Sequence, residues 1–79
     1  MTNDEIYAAL TVIFRDVFLS DDLVLTPTLN ANDVSGWDSY RQIEIIIATE
    51  QHFGIKFSTR EIDQLGNVGD LVAAVAAHK

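Results

Sequence analysis

The sequence predicts an all-α fold, a small four-helix bundle of three longer helices and one short one, with a long loop between helices 1 and 2. Apolar residues recur at three- and four-residue spacing in separate stretches, and each stretch opens on a polar residue suited to capping. No segment alternates strongly enough to require a sheet, which leaves helix on helix as the way to bury the apolar stripes. With 79 residues, 48% of them apolar, and no cysteine, a single domain over residues 1–79 has to be held by helix packing, without disulfides or thiolate metal sites.

The first helix starts at Thr2 or Asn3, either of which can cap it, and its opening acids Asp4 and Glu5 suit the positive helix end. Ile6, Leu10, Ile13, Phe14 and Val17 then form one buried stripe to about Phe18. From Leu19 to Asp38 the pattern breaks into Ser20, Asp21, Asp22, Pro27, Asn30, Asn32 and Asp33, which is turn chemistry throughout. Compact domains seldom hold so long a connection without a purpose. The expectation is a packed loop containing one helical turn, with Val24, Leu25, Leu29 and Val34 tucked against the core.

The second helix is expected from Ser39 to Phe53, ended by Gly54 in the left-handed conformation. At roughly 100° per residue, Ile45, Phe53, Ile46 and Ile43 span a core arc of about 160°, with Thr49 and Gln42 inside it. Tyr40 and Ile47 fall on the shoulder of that arc beside Glu44 and Gln51. Either they extend the core, or this apolar and acidic edge serves as a docking strip. After Ile55-Lys56-Phe57, Ser58 or Thr59 caps a short helix through Glu61, Ile62 and Leu65, which Gly66 ends. Asn67, with Asp70 three residues later, opens the last helix, whose inward stripe is Val68, Leu71, Val72 and Val75.

The opening of the second helix, Gly36-Trp37-Asp38-Ser39-Tyr40, is the stretch with the most functional content. Two readings of it stand. Ser39 is an ordinary N-cap, forming a capping box with Gln42, or its hydroxyl carries a phosphate ester that the unpaired N–H groups and partial positive charge of the helix end would hold.

Twelve acidic against five basic residues give a formal net charge of -7, which repels nucleic acid and anionic membrane surfaces and favours basic protein partners. Neither a run long and apolar enough to span a membrane nor a basic-then-apolar leader is expected, so the location predicted is cytoplasmic. No catalytic residue and no metal site is predicted. His52 and His78 are far apart and lack ligand spacing, no glycine-rich phosphate loop occurs, and pairs such as Asp21-Asp22 read as solvated loop charges.

The run G-W-D-S-Y-R-Q-I-E-I-I-I-A-T-E-Q-H-F-G-I-K-F, after a long loop and before a short helix and a capped final one, resembles the acyl carrier protein family over essentially the whole chain. Asp38-Ser39 ahead of Ile43-Glu44-Ile45 matches the family's Asp-Ser-Leu signature. Glu50 with Phe53, Gly54-Ile55, Phe57 and Val68-Gly69-Asp70-Leu71 support it. The resemblance implies a carrier rather than an enzyme. A phosphopantetheinyl transferase would move 4'-phosphopantetheine from coenzyme A to Ser39, and the thiol of that arm would hold acyl groups as thioesters, supplying thiol chemistry to a chain without cysteine. Asp38 would cap the helix or help the transferase hold its magnesium.

Docking by acyl-loading and acyl-transferring enzymes of fatty acid, lipid, secondary-metabolite or polysaccharide-linked biosynthesis is then expected around Trp37, Tyr40, Arg41, Glu44, Ile47 and Gln51, with the carrier a monomer. Three residues depart from the family pattern. Tyr40 stands where leucine is usual, Arg41 thins the acidic strip, and Thr49 replaces a usual core leucine, where it either loosens the acyl-accepting interior or bonds back to the turn above it. With Trp37 beside the attachment residue, these departures imply a dedicated carrier. The alternatives are an aminoacyl or peptidyl carrier, and an unmodified helical adaptor in which Ser39 only caps and Tyr40, Ile45 and Ile47 form an interface.

Overall fold

The computed structural model describes residues 2–78; residues 1 and 79, which the expected domain includes, lie outside it. Four helices follow one another, α1 (Asn3–Phe18), α2 (Ser39–Phe53), α3 (Thr59–Asp63) and α4 (Val68–His78). Among the described residues no strand occurs. The all-α class and the order of three longer helices and one short one are as the sequence predicts.

Thr2 opens α1 with a reciprocal capping box, its hydroxyl accepting from the Glu5 N–H while the Glu5 carboxylate accepts from the Thr2 N–H. The α1 stripe of Ile6, Leu10, Ile13 and Phe14 is buried against Ile45, Ile46 and Phe53 of α2, Phe57, and Val68, Leu71, Val72 and Val75 of α4. Val17 packs at its edge. Thr49 is the buried polar residue of this core, and its hydroxyl donates to the Ile45 carbonyl at 2.7 Å. The back-bonded reading of Thr49 is therefore the one observed.

In α2 and the third helix, two expectations are corrected and one open choice is decided. Ile43 is 56% exposed rather than part of the core face. The buried α2 residues, Ile45, Ile46, Thr49 and Phe53, cover an arc of about 100°, because one flank of the helix meets the bundle and the other meets none of it. Tyr40 and Ile47, at 69% and 48% exposed, share the outer side with Ile43 and do not extend the core. The third helix stops at Asp63 with Gln64 as its C-cap, so Leu65 and Gly66 lie in the connection to α4.

Between α1 and α2 the chain makes successive tight turns, closed by Leu29 N–H to Thr26 O, Asp33 N–H to Asn30 O and Trp37 N–H to Val34 O. These are isolated three-residue closures, and the expected helical turn does not form. Leu25 and Leu29 pack against the core and Val34 is half-buried. Val24, expected inside, is 67% exposed. The loop is tied near its start and at its middle, since the Arg15 guanidinium donates to the Leu23 carbonyl and the N–H groups of Val68 and Gly69 donate to the carbonyls of Leu29 and Pro27. Two of the first α4 N–H groups, which have no partner within their own helix, thus find one in the loop.

Candidate functional site

The turn before α2 needs a glycine, and Gly36 supplies it with φ at 87°. That reversal sends Trp37 inward. Its ring meets Phe14 edge-on with centroids 5.4 Å apart and lies 5.9 Å from Phe18, while its indole N–H donates to Gln42 Oε1 at 2.7 Å. Trp37 therefore anchors the start of α2 to α1.

Asp38 is the N-cap of α2. Its backbone is extended, its carboxylate accepts from the Arg41 N–H at 3.0 Å, and its carbonyl accepts from the Gln42 N–H at 2.9 Å. This corrects the capping box with Ser39 as cap. Ser39 is the first residue inside the helix, exposed, with its hydroxyl outside the cap hydrogen bonds. Asp is at least as good a cap as Ser, and once it takes that place the next residue falls at N1.

The rest of the first turns differs from an acidic strip. Arg41 pairs with Glu44 at 2.9 Å and its guanidinium lies 5.8 Å from the Tyr40 ring centroid. Tyr40, Arg41, Glu44 and Ile47 share one side of α2, with Gln51 exposed further along. Trp37, which the sequence places with them, faces the interior instead, packed against Phe14 and Phe18.

Beside Ser39 opens a cleft of about 390 Å³. Phe14, Trp37, Ile62, Leu65, Val68 and Leu71 belong to its apolar lining, and Asp38, Ser39, Gln42 and Asn67 are its polar parts. Gln42 and Asn67 were not singled out by sequence reasoning. The signal for Gln42 was its position one turn after Ser39 on the same helix face; Asn67 was read as a cap and does cap, accepting from the Asp70 N–H at 2.8 Å.

The histidines lie away from this site, His52 exposed at the end of α2 and edge-on to Phe53, His78 at 2.8 Å from Glu61. Among the described residues no group of three potential ligands gathers for a metal, and no helix is long and apolar enough to cross a membrane.

A family model described as "Phosphopantetheine attachment site" matches residues 8–75. The meromycolate extension acyl carrier protein of Mycolicibacterium smegmatis is 32% identical over 74 residues, covering 94% of this chain and 75% of that protein. The chain belongs to the acyl carrier protein family. Its match to the Mycobacterium bovis protein of the same name, 31% identical over 75 residues, covers 95% of this chain and 65% of the relative. Among solved structures, the holo acyl carrier protein from Geobacter metallireducens superposes with a TM-score of 0.85 at 45% identity, covering 90% of this chain and 82% of that one.

The prosthetic group of this carrier family is 4'-phosphopantetheine, whose thiol holds acyl groups as thioesters. The residues around Ser39 fit such a group. A phosphodiester there would meet the N-terminal end of a helix of 15 residues, where N–H groups and the dipole favour an anion, and the neighbouring cleft offers partial shelter to what the arm carries.

Proposed function

We propose that Ser39 bears the phosphopantetheine arm and that the protein is a dedicated acyl carrier, itself without catalytic residues, serving its own set of cytoplasmic biosynthetic enzymes. The observation that carries this is the division of labour at Asp38-Ser39. Asp38 does the capping, which leaves an exposed hydroxyl at the first position of α2 with no structural duty. A residue needed only as a cap would stand where Asp38 stands. The dedicated role is supported by Tyr40 and Arg41 at the outer face of α2 and by relatives named for meromycolate extension.

Docking falls on the outer side of α2, where Tyr40, Ile43 and Ile47 are exposed beside Glu44 and Gln51. Apolar groups supply contact area there and the Glu44 carboxylate steers basic partners. Trp37, packed inward, supports this face through the start of α2 rather than touching a partner.

The test is an intact mass before and after incubation with coenzyme A and a broad-specificity phosphopantetheinyl transferase. The mass should rise by one phosphopantetheine, and Ser39→Ala should abolish the gain. Because the cap is Asp38, that substitution should change stability by no more than about 0.5 kcal/mol, so unfolding cannot explain a negative result. Modification of Ser39→Ala, or none of the parent protein, would overturn the assignment.

A further inference from the structure

The cleft beside Ser39 has polar parts whose chemistry is fixed by what they already hold. An indole N–H only donates, so the Gln42 atom facing Trp37 is Oε1, and the other end of that amide is an NH2 with two donors. Asn67 repeats the arrangement. Its Oδ1 is committed to the Asp70 N–H, its NH2 is a donor, and the residue lines the same cleft. Neither NH2 has a protein acceptor among the described residues, and neither is buried away from solvent. Two amides with committed oxygens thus line a cleft whose other lining includes the apolar Phe14, Trp37, Ile62, Leu65, Val68 and Leu71. Asp38 lies on the same lining with a carboxylate, and a negative cargo would be repelled by it.

We propose that Gln42 and Asn67 are specificity-determining residues that select a neutral carbonyl oxygen for the cleft. This rests on the reading that Ser39 bears the arm. The carbonyl comes from one of two sources, an oxo group close to the thioester of the acyl cargo or an amide of the arm itself. A plain saturated chain gains the apolar walls but leaves both donors without an acceptor once water is displaced, and an unpaired donor in such a place opposes entry. A 3-oxoacyl group satisfies them. The cleft therefore favours 3-oxoacyl over saturated acyl cargo of the same length.

Isosteric variants isolate the donors. Gln42→Glu keeps an oxygen for the Trp37 indole, and Asn67→Asp keeps the α4 cap, while each replaces the NH2 by oxygen. The parent and both variants are converted to holo, butyryl and 3-oxobutyryl forms with the corresponding coenzyme A thioesters, and each product is weighed by mass spectrometry. Two readouts follow, the emission of Trp37, the sole tryptophan of the chain, and the rate of thioester cleavage by hydroxylamine relative to the same free pantetheine thioester. The 3-oxobutyryl form should be protected about fivefold more than the butyryl form, the scale of one net hydrogen bond, and both variants should erase that difference. Comparing the two cargoes within one variant removes the effect of the added charge on the thioester that both share.

If the arm amide is the source, conversion of apo to holo protein alone should shift the Trp37 emission in the parent and not in the variants. Equal protection of both cargoes together with no variant-sensitive change on forming the holo protein overturns the inference while leaving the carrier assignment intact. Absence of any mass gain overturns the attachment reading, and the inference with it.

Discussion

Arg41 puts a cation in the first turn of α2, whose first turn holds no acidic residue, although that end of a helix favours anions. Glu44 compensates at 2.9 Å, with the two side chains 41% and 36% exposed. A pair this open contributes about 0–1 kcal/mol, and the unfavourable position of Arg41 in the dipole offsets part of it. The pair matters more for what it presents to a partner, because the Glu44 charge on the proposed docking face is already half answered. Arg41→Gln should leave the melting temperature nearly unchanged. It should raise the rate of arm transfer at low ionic strength, with a steeper fall as salt is added, because Glu44 is then free to steer a basic transferase surface. Stopped-time mass analysis over a salt series checks this, and an identical salt profile for the two proteins would remove Arg41 and Glu44 from the docking surface.

At the scale of the elements, the tie between the long loop and α4 decides whether the cleft keeps its shape. Gly69 donates its N–H to Pro27 O, and a Cβ on it would come within 2.9 Å of that same carbonyl. Because the clash is with backbone, Gly69→Ala should displace the loop and destabilise the fold by about 1–3 kcal/mol, despite alanine being the better helix former. Urea unfolding measures it; a stabilised variant would mean the loop yields freely.

This tie was invisible in the sequence, where Gly69 stood only within the Val68-Gly69-Asp70-Leu71 match and Pro27 as turn punctuation, since a contact between residues so far apart leaves no local period. The helices were legible for the opposite reason. Stripes such as Ile6, Leu10, Ile13 and Phe14 and caps such as Ser58 with Glu61 are properties of neighbouring residues. Ile43 was misplaced because hydrophobicity fixes which residues favour burial but not how much of a helix the bundle covers. At the site, Asp38 and Ser39 could each be read as the cap, and only the backbone at Asp38 separates their duties. The amide donors of Gln42 and Asn67 depend on which atom faces Trp37 and Asp70, information that residue identity does not contain.

For the whole molecule the dominant electrostatic fact is the formal net charge of -7 on 79 residues, which opposes compaction at neutral pH. Added salt screens this repulsion. Glu5 and Glu61 act in the other direction. The Thr2 backbone N–H holds the Glu5 carboxyl below its ordinary value, and the Ser58 backbone N–H, followed by His78, does the same for Glu61. A carboxylate whose folded pKa is depressed contributes stability that is fully present above its unfolded value of 4.5 and is lost as the pH falls through the lower folded value. The two capping boxes are therefore intact at neutral pH and weaken only in acid. The melting temperature should turn down as the pH falls below about 4.5, and added salt should raise it at pH 7.5. Calorimetry or far-UV circular dichroism across these pH values, at low protein concentration, tests both parts. A melting temperature that falls steadily from neutral pH, or that salt lowers at pH 7.5, would show that the capping and dipole interactions outweigh the collective repulsion of the acidic chain.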